Sequence, residues 1–388
     1  QNAFSSCTSM ATVNFNADSC RWVGGSPNTT SGDNGRVFYG DNLFTTLNIG
    51  NNVKAIPDNL FNDCSHIASI TIPNSVVRIG DYAFYSCDGA TSLSLGSGLR
   101  SIGGYAFKGC THISSIITHG NNLQTIGTYA FSGCTAANTI SVNAHTIGTD
   151  AFSGCTAADT ISVSAQTIGS YAFSGCSKAK TISVDAYTID GHAFQNCASA
   201  ASVTSGTISV NAHTIGSSAF SGCSKANTIL VDAYAIGNDA FQNCASASSI
   251  TSGNISVNAH TIGTYAFYGC TAANTISVDA YIIGDYAFRN CTSAASVTLG
   301  NSTHTINQYA FYNCITLPNI AIPAAVDSIG YRAFGNCTHL TLVNFNADSC
   351  RYMSENVFQG SAVSRVVVGN GVKTIPDTAF RGLTPLGE

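Results

Sequence analysis

Residues 137–155 read ANTISVNAHTIGTDAFSGC, and this stretch contains the pattern that determines the fold. Thr139 to Val142 alternates polar and apolar residues and is rich in β-branched side chains, which is typical of a half-buried strand. Ala144, Ile147 and the pair ending in Phe152 then supply inward residues around a Gly turn. A coil this short cannot bury its own apolar face, so it must stack on copies of itself.

The same pattern recurs from one end of the chain to the other. A Phe, usually preceded by Ala, recurs every 21 to 26 residues, except for a first interval of 34. Ile is almost always found five residues before this Phe, and Cys usually three residues after it. The pattern predicts a stack of about 17 coils, roughly 75–80 Å long at about 4.8 Å per strand, with a parallel β-sheet on one face. The landmark residues are Phe4, Phe38, Phe61, Phe84, Phe107, Phe131, Phe152, Phe173, Phe194, Phe220, Phe241, Phe267, Phe288, Phe311, Phe334, Phe358 and Phe380.

The composition excludes several classes of protein. Charged residues make up 9% of the 388 residues, and the formal net charge is −5 with only 15 Lys and Arg, too few cations for a nucleic-acid-binding surface. A hydrophobic content of 44% argues against a disordered chain. The sequence contains no run of 18 apolar residues, so it predicts no transmembrane segment. The sequence has no initiator Met and no recognisable signal peptide, which predicts a mature or trimmed form.

Repeat length divides the chain into three zones of one predicted solenoid over residues 1–388. Residues 1–130 contain longer coils of the 23-residue type, with an insertion near 24–36; residues 131–301 contain coils of 21 and 26 residues; residues 302–388 contain longer coils again. The central coils carry Ala, as at Ala137 and Ala158, where the outer coils carry Ile67 or Leu340. A full-length coil around Ala would leave voids, so we expect a slimmer middle and wider ends.

The 16 Cys residues predict a buried column. Fourteen of them lie three residues after the landmark Phe, and no pair has the C-x-x-C spacing of a zinc or redox site. One small thiol per coil in the same place indicates core packing, and parallel Cβ vectors argue against disulfides. Asp185, Asp232 and Asp279 recur without further ligands beside them. The sequence therefore predicts no cofactor and no metal.

Residues 67–87, IASITIPNSVVRIGDYAFYSC, resemble the repeat of the BspA-like leucine-rich repeat family. The resemblance extends over the whole chain, although the central coils have Ala for Leu and lack the Pro. It implies a curved, right-handed leucine-rich-repeat solenoid of the repeat α/β class, dominated by β-structure. It also implies a secreted or surface-attached protein of an anaerobic bacterium or mucosal parasite, associated with adhesion. The family has no catalytic residues to transfer to this chain.

The outward positions of the predicted strands form a flat, uncharged surface rich in hydroxyl groups. This surface has three interpretations: strand propensity with hydrogen bonds along the ladder, a hydrogen-bonding platform for a protein or glycan, and a lattice suited to ice. The candidate binding residues are Thr139, Thr160 and Thr181 in the first column and Ser141, Ser162 and Ser183 in the middle column.

Two further features are candidate contact sites. A column of Tyr and His seven residues before each Phe includes Tyr187, Tyr234 and Tyr281, which combine contact area with a polar tip. Duplication of the segment would also copy these residues without any function. The only Trp, Trp22, stands at the start of the Gly-rich insertion at 24–36, and loops on rigid scaffolds often bind.

Two functions remain after an enzyme is set aside, because the reiterated His, Ser and Asp residues form no singular catalytic constellation. The first is a non-catalytic cell-surface or secreted module that binds a protein or glycan of a host or neighbouring cell through the Ser/Thr-rich strand face. The second is a structural spacer or self-associating stalk, which predicts end-to-end self-association. Neither function involves nucleic acid.

Overall fold

The computed structural model describes residues 9–18, 20, 37–38, 43–120, 122–202, 204–246, 248, 252–377, 379–381 and 383. These residues form a parallel β-solenoid of about 13 turns and contain no helix. The leucine-rich-repeat fold is therefore confirmed, whereas the predicted number of about 17 coils is too high. A repeat is counted in the sequence whether or not its chain closes a full turn, and Phe4 lies outside the described residues.

The chain divides into two compact units, Gln1–Cys197 and Ala198–Glu388. One continuous solenoid over residues 1–388, with its three zones, stays a prediction. None of the described residues belongs to a helix long and apolar enough for a bilayer crossing.

The first unit contains twelve described strands, and its described pairings are parallel. Its main sheet has the order β3-β5-β7-β9-β10-β11-β12, with β8 beside β10, while β1 pairs with β2 and β4 with β6. The strands are β1 (Thr12–Phe15), β2 (Thr46–Ile49), β3 (Ala55–Ile56), β4 (Ser69–Thr71), β5 (Arg78–Ile79), β6 (Ser92–Ser94), β7 (Ser101–Ile102), β8 (Ser115–Ile117), β9 (Thr125–Ile126), β10 (Thr139–Ile147), β11 (Thr160–Ile168) and β12 (Thr181–Ile189).

The second unit contains eleven described strands with the same parallel pairing. Its main sheet has the order β13-β14-β15-β16-β18-β20-β22, with β17 beside β16, and a second sheet has the order β19-β21-β23. The strands are β13 (Gly206–Ile215), β14 (Ala226–Ile236), β15 (Gly253–Ile262), β16 (Ala273–Ile283), β17 (Ser296–Leu299), β18 (Thr305–Ile306), β19 (Asn319–Ile322), β20 (Ser328–Ile329), β21 (Leu342–Phe345), β22 (Tyr352–Met353) and β23 (Arg365–Val368).

The shorter central coils have longer strands than the outer coils. In the outer coil that begins at Ile67, β4 and β5 are separated by a turn in which Val76 N donates to Pro73 O at 3.1 Å. In the next zone β10 runs unbroken through nine residues to Ile147. The sequence predicted a strand only as far as Val142. Removal of Pro and two residues lets the chain continue straight, because Pro cannot donate to a ladder and favours a turn.

The landmark Phe residues form a stacked core within each unit. Phe131, Phe152 and Phe173 are fully buried, with successive ring centroids 5.1 and 4.8 Å apart and planes within 10° of parallel. In the second unit Phe241 and Phe267 stack at 4.9 Å with planes 1° apart. The ring spacing follows the strand spacing of about 4.8 Å, so each coil adds one ring to the column. The prediction that these residues face inward is confirmed for the landmarks from Phe38 to Phe358.

The turn before each landmark from Phe61 to Phe358 contains a residue in the left-handed region. Tyr129 has a φ of 56° and Asp150 a φ of 54°. A non-glycine residue in this region is uncommon and costs free energy. The conformation directs each amide to the following coil: Tyr129 N donates to Thr149 O at 3.0 Å, and Asp150 N donates to Ser170 O at 3.0 Å. Coil stacking therefore compensates the local strain.

Candidate binding surface

Three neighbouring strands of the first unit, β10, β11 and β12, carry the hydroxyl surface. In β10 the buried side chains of Ile140 and Val142 are 0% and 3% exposed. Thr139 and Ser141 alternate with them, so they lie on the opposite face of the strand. The alternation of apolar and hydroxyl residues is therefore what positions the surface.

Strand register brings the six predicted hydroxyl residues together. Thr139 and Ser141 are half-buried, and the other four are exposed. Successive members of a column lie about 4.8 Å apart. The result is a regular, rigid array of groups that can both donate and accept hydrogen bonds. The two columns are Thr139, Thr160, Thr181 and Ser141, Ser162, Ser183.

Charge lies beside the two hydroxyl columns: Asp185 follows Ser183 on the exposed face of β12, and an ion pair precedes the first column. Asp159 and Lys180 precede the first threonines of β11 and β12, and Lys180 Nζ lies 2.8 Å from Asp159 Oδ1. The pair is about half exposed, so its contribution to stability is small. The hydroxyl columns themselves carry no formal charge. A ligand would be held there by neutral hydrogen bonds and surface contact.

Three exposed aliphatic residues interrupt the middle column and were not identified from the sequence: Ile117, Leu230 and Val367. Ile117 on β8 is 40% exposed and pairs in register with Ser141. In the second unit Leu230 is 43% exposed and lies in register between Ser209 and Ser256. A position-by-position comparison of the repeats would have shown these substitutions, since most other copies carry Ser, Thr or Asn. They add apolar contact to an otherwise polar surface.

A shallow groove lies on the strand face at β2 and β4 of the first unit. It has a volume of about 470 Å³, and its lining includes Thr46, Asn48, Ser69, Thr71 and Pro73. Among the described lining residues none is ionisable. The groove therefore offers hydroxyl and amide groups suited to binding and no acid–base pair.

The three candidate tyrosines lie on strand faces and are exposed. Tyr187 on β12 of the first unit is 52% exposed. In the second unit Tyr234 and Tyr281 are 53% and 40% exposed. Tyr234 stacks between His213 and His260, with ring centroids 5.0 and 4.8 Å away. The sequence identified this column but not the stacking of its rings.

Trp22 and the insertion at residues 24–36 lie outside the described residues, so their contact role stays a prediction. The landmark that follows the insertion is described. Phe38 is 6% exposed and stacks on Phe61 at 5.6 Å with planes 14° apart. In the described part of the chain, the stacked Phe column of the first unit therefore includes Phe38, shortly after the insertion.

The predicted cysteine column is buried, and in the described part of the chain its members form no disulfide bonds. Burial raises the pKa of the Cys110 thiol to about 12. Contact with the Cys176 thiol, together with burial, raises the pKa of Cys155 well above its usual value. A thiol that stays protonated at neutral pH is neither a nucleophile nor a ready metal ligand. The described residues contain no group of three His, Cys, Asp or Glu that could hold a metal ion.

Parallel coils, an inward Phe column and an exposed strand face define a leucine-rich-repeat solenoid. The family described as "BspA type Leucine rich repeat region (6 copies)" matches residues 34–159, 115–205, 145–274 and 260–386. The chain belongs to this BspA-type leucine-rich repeat family.

The chain is similar to solved bacterial structures. A leucine-rich repeat protein from Bacteroides ovatus is 26% identical, with 92% of this chain and 86% of that chain covered and a TM-score of 0.58. A leucine rich cell surface protein from Faecalibacterium prausnitzii is 22% identical, with 78% and 88% covered and a TM-score of 0.37. No curated protein matches the chain. Leucine-rich repeat proteins are typically not enzymes and generally bind proteins.

Proposed function

We propose that the chain is a non-catalytic binding module, secreted or exposed at the cell surface, that adheres to a protein or glycan of a host or neighbouring cell. Membership of a family of repeat proteins that generally bind partners supports this function. The single structural observation in its favour is the pair of in-register hydroxyl columns on β10, β11 and β12.

The hydroxyl surface is preorganised for binding. Ile140, Ile161 and Ile182 lie fully buried beneath it, each paired in register with the next. Because the backbone is held by this packing and by the ladder, little conformational entropy is lost when a ligand binds. The two hydroxyl columns themselves are also uncharged, so a ligand that contacts them does not have to displace strongly hydrated ions. Both properties favour a broad, shallow contact over a deep pocket.

The test places charges in the middle of the surface. The triple variant Ser141→Lys, Ser162→Lys, Ser183→Glu should bind at least tenfold more weakly to whichever host matrix protein or arrayed glycan the unaltered chain captures. The matched control is Ser132→Lys, Ser153→Lys, Ser174→Glu, which makes the same three changes in the turns after Phe131, Phe152 and Phe173. Far-UV circular dichroism should be unchanged for both variants.

The outcomes separate binding from the spacer function. Binding that survives the strand-face variant, or that is lost equally in the control, contradicts the proposal. A spacer predicts instead that light scattering shows self-association and that neither triple variant changes any ligand binding. The location is tested by the full open reading frame, in which a secretion signal ahead of the repeats would support a surface protein.

A further inference from the structure

Strands β13–β16 of the second unit present a polar surface that repeats every second strand. Each strand contributes an outward pair, Asn and His on one strand and Asp and Tyr on the next. Backbone register holds the four pairs side by side as two adjacent columns. These columns are Asn211, Asp232, Asn258, Asp279 and His213, Tyr234, His260, Tyr281.

The aromatic column presents ring edges and polar tips. Ring centroids of His213, Tyr234, His260 and Tyr281 lie 5.0, 4.8 and 5.1 Å apart, with planes within 16° of parallel. His304 extends the stack at 4.2 Å from Tyr281. Each ring covers the face of its neighbour, so a ligand meets phenol hydroxyls and imidazole nitrogens. Stacking also orders these side chains before a ligand binds.

The adjacent column contributes acceptors and negative charge. Asn258 Nδ2 donates to Asp232 Oδ1 at 2.9 Å, and Ser302 N donates to Asp279 Oδ1 at 3.0 Å. Neither column contains Lys or Arg. An anionic ligand is therefore disfavoured, whereas a ligand that both donates and accepts hydrogen bonds can pair with carboxylate, amide, phenol and imidazole groups alike.

The repeat distance distinguishes extended polymers from one another. Two strand spacings amount to about 9.6 Å. An extended peptide repeats every two residues, about 6.6 Å, and does not match this distance. A polyproline II peptide repeats every three residues, about 9.3 Å, and does match, but its backbone offers mainly carbonyl acceptors. Asp232 and Asp279 would face those acceptors without a donor.

An extended β-1,4-linked glycan matches the repeat distance and also supplies hydrogen-bond donors. Adjacent sugars are flipped relative to each other, so equivalent hydroxyls recur every second sugar at a distance comparable to two strand spacings. Every hydroxyl both donates and accepts. Repeated, equivalent contacts along one rigid chain also add affinity with length.

We propose that β13–β16 form a binding site for a neutral, linear β-1,4-linked polysaccharide that lies along the His–Tyr column, across the strands. This inference rests on the proposed function as a binding module and names the ligand class for the second unit. Asp232 and Asp279 accept hydroxyl hydrogens, and the tips of Tyr234 and Tyr281 make equivalent contacts two sugars apart.

The test is calorimetric titration of the whole chain with β-1,4-linked N-acetylglucosamine and glucose oligomers of two to six sugars. Affinity should rise with length in steps of two sugars. The double variant Tyr234→Phe, Tyr281→Phe keeps the stacked rings and removes both hydroxyls, and it should weaken binding of the hexamer at least tenfold. The corresponding Ala variant should weaken it further.

Tyr171→Phe is the matched control. Tyr171 of the first unit is 39% exposed and stacks on His192 at 4.7 Å, but it lies in the turn before Phe173 and outside the strands. The control should bind the hexamer as the unaltered chain does. An equal loss in the control would overturn the proposed location.

The remaining outcomes overturn the inference and distinguish it from the proposed function. No titratable binding of any neutral oligomer, a preference for heparin, or capture of a (Pro-Pro-Gly)-repeat peptide through the same tyrosines each contradicts it. If a matrix protein still binds through Ser141, Ser162 and Ser183, the proposed function stands and only the glycan site fails. If neither experiment detects a ligand, both fail.

Discussion

Each coil from Phe61 to Phe334 places one Cys thiol in the core, three residues after its Phe. Cys87, Cys110 and Cys134 are all 0% exposed. The Cys110 thiol donates to Phe84 O at 3.1 Å, so it fills a small apolar space and also contacts a carbonyl of the preceding coil. At the residue scale a side chain is thus selected for its fit to the neighbouring copy. This burial has a consequence for stability in alkali.

Alkaline pH should destabilise the protein through these thiols. Burial raises the pKa of Cys64, Cys110 and Cys337 to about 12, from an ordinary value of 9.0. Because the folded pKa lies above the unfolded one, the stabilisation is complete below pH 9 and is lost as the pH rises toward 12. The free energy of unfolding should fall by about 1.4 kcal/mol per pH unit for each such thiol. Urea titrations at fixed pH, in the presence of a reductant, measure this slope.

The control for alkaline destabilisation is Cys110→Ala. The variant removes one titrating thiol, so its slope above pH 9 should be shallower by the amount of one group. A slope identical to that of the unaltered chain would show that other groups cause the alkaline loss.

Coil length and core size vary together at the scale of the single coil. Ile67 in a 23-residue coil and Ala158 in a 21-residue coil are both 0% exposed and occupy equivalent positions. The short coil contains one continuous strand, β11, whereas the long coil contains two separate strands, β4 and β5. Each coil is therefore packed to its own width, since protein cores leave few voids.

A change in the size of either core residue should destabilise its coil. Ile67→Ala should cost about 2–5 kcal/mol through a cavity, and Ala158→Leu should cost about 1–3 kcal/mol through overpacking. The control is Ser162→Leu, on the exposed face of β11, which should change stability by less than about 0.5 kcal/mol. Chemical denaturation measures all three variants. A stabilising Ala158→Leu would show that the short coil has unfilled space.

Contacts between coils, which join residues one repeat apart, hold each unit together at the scale of the molecule. Gly148 N donates to Ile126 O at 2.8 Å and Gly169 N to Ile147 O at 2.8 Å. Each coil thus repeats the bonds of the one before it. A solenoid of this kind behaves as a sum of coils and their interfaces, so whole coils are interchangeable and fractions of coils are not.

Deletion of residues 153–173 should therefore preserve the fold. This removes 21 residues and joins Phe152 to Ser174, so the sequence pattern remains in phase. Far-UV circular dichroism per residue and resistance to proteolysis should match the unaltered chain, with a slightly lower melting temperature. The control deletion of residues 153–163 puts the strand out of phase and should abolish the cooperative transition of the first unit. Equal behaviour of the two deletions would contradict a stacked-coil architecture.

The sequence alone predicted the parallel stack, the inward Phe, Ile and Cys columns, and the outward Thr and Ser columns. These features depend on burial within one coil and its neighbour, and the pattern that produces them recurs in successive repeats. The aromatic column, including Tyr187, Tyr234 and Tyr281, was also visible as a pattern.

Only the tertiary structure decided how distant copies meet. Register between strands about 21 to 26 residues apart places Ile117 beside Ser141 and Leu230 between two serines. Packing also continues β10 as far as Ile147 and stacks Tyr234 between two histidines. A pattern within one repeat specifies which face a side chain occupies, because that follows from the local period of the strand. Which residue lies beside that side chain on the next strand depends on how whole coils align. That alignment is defined only when the coils pack against each other.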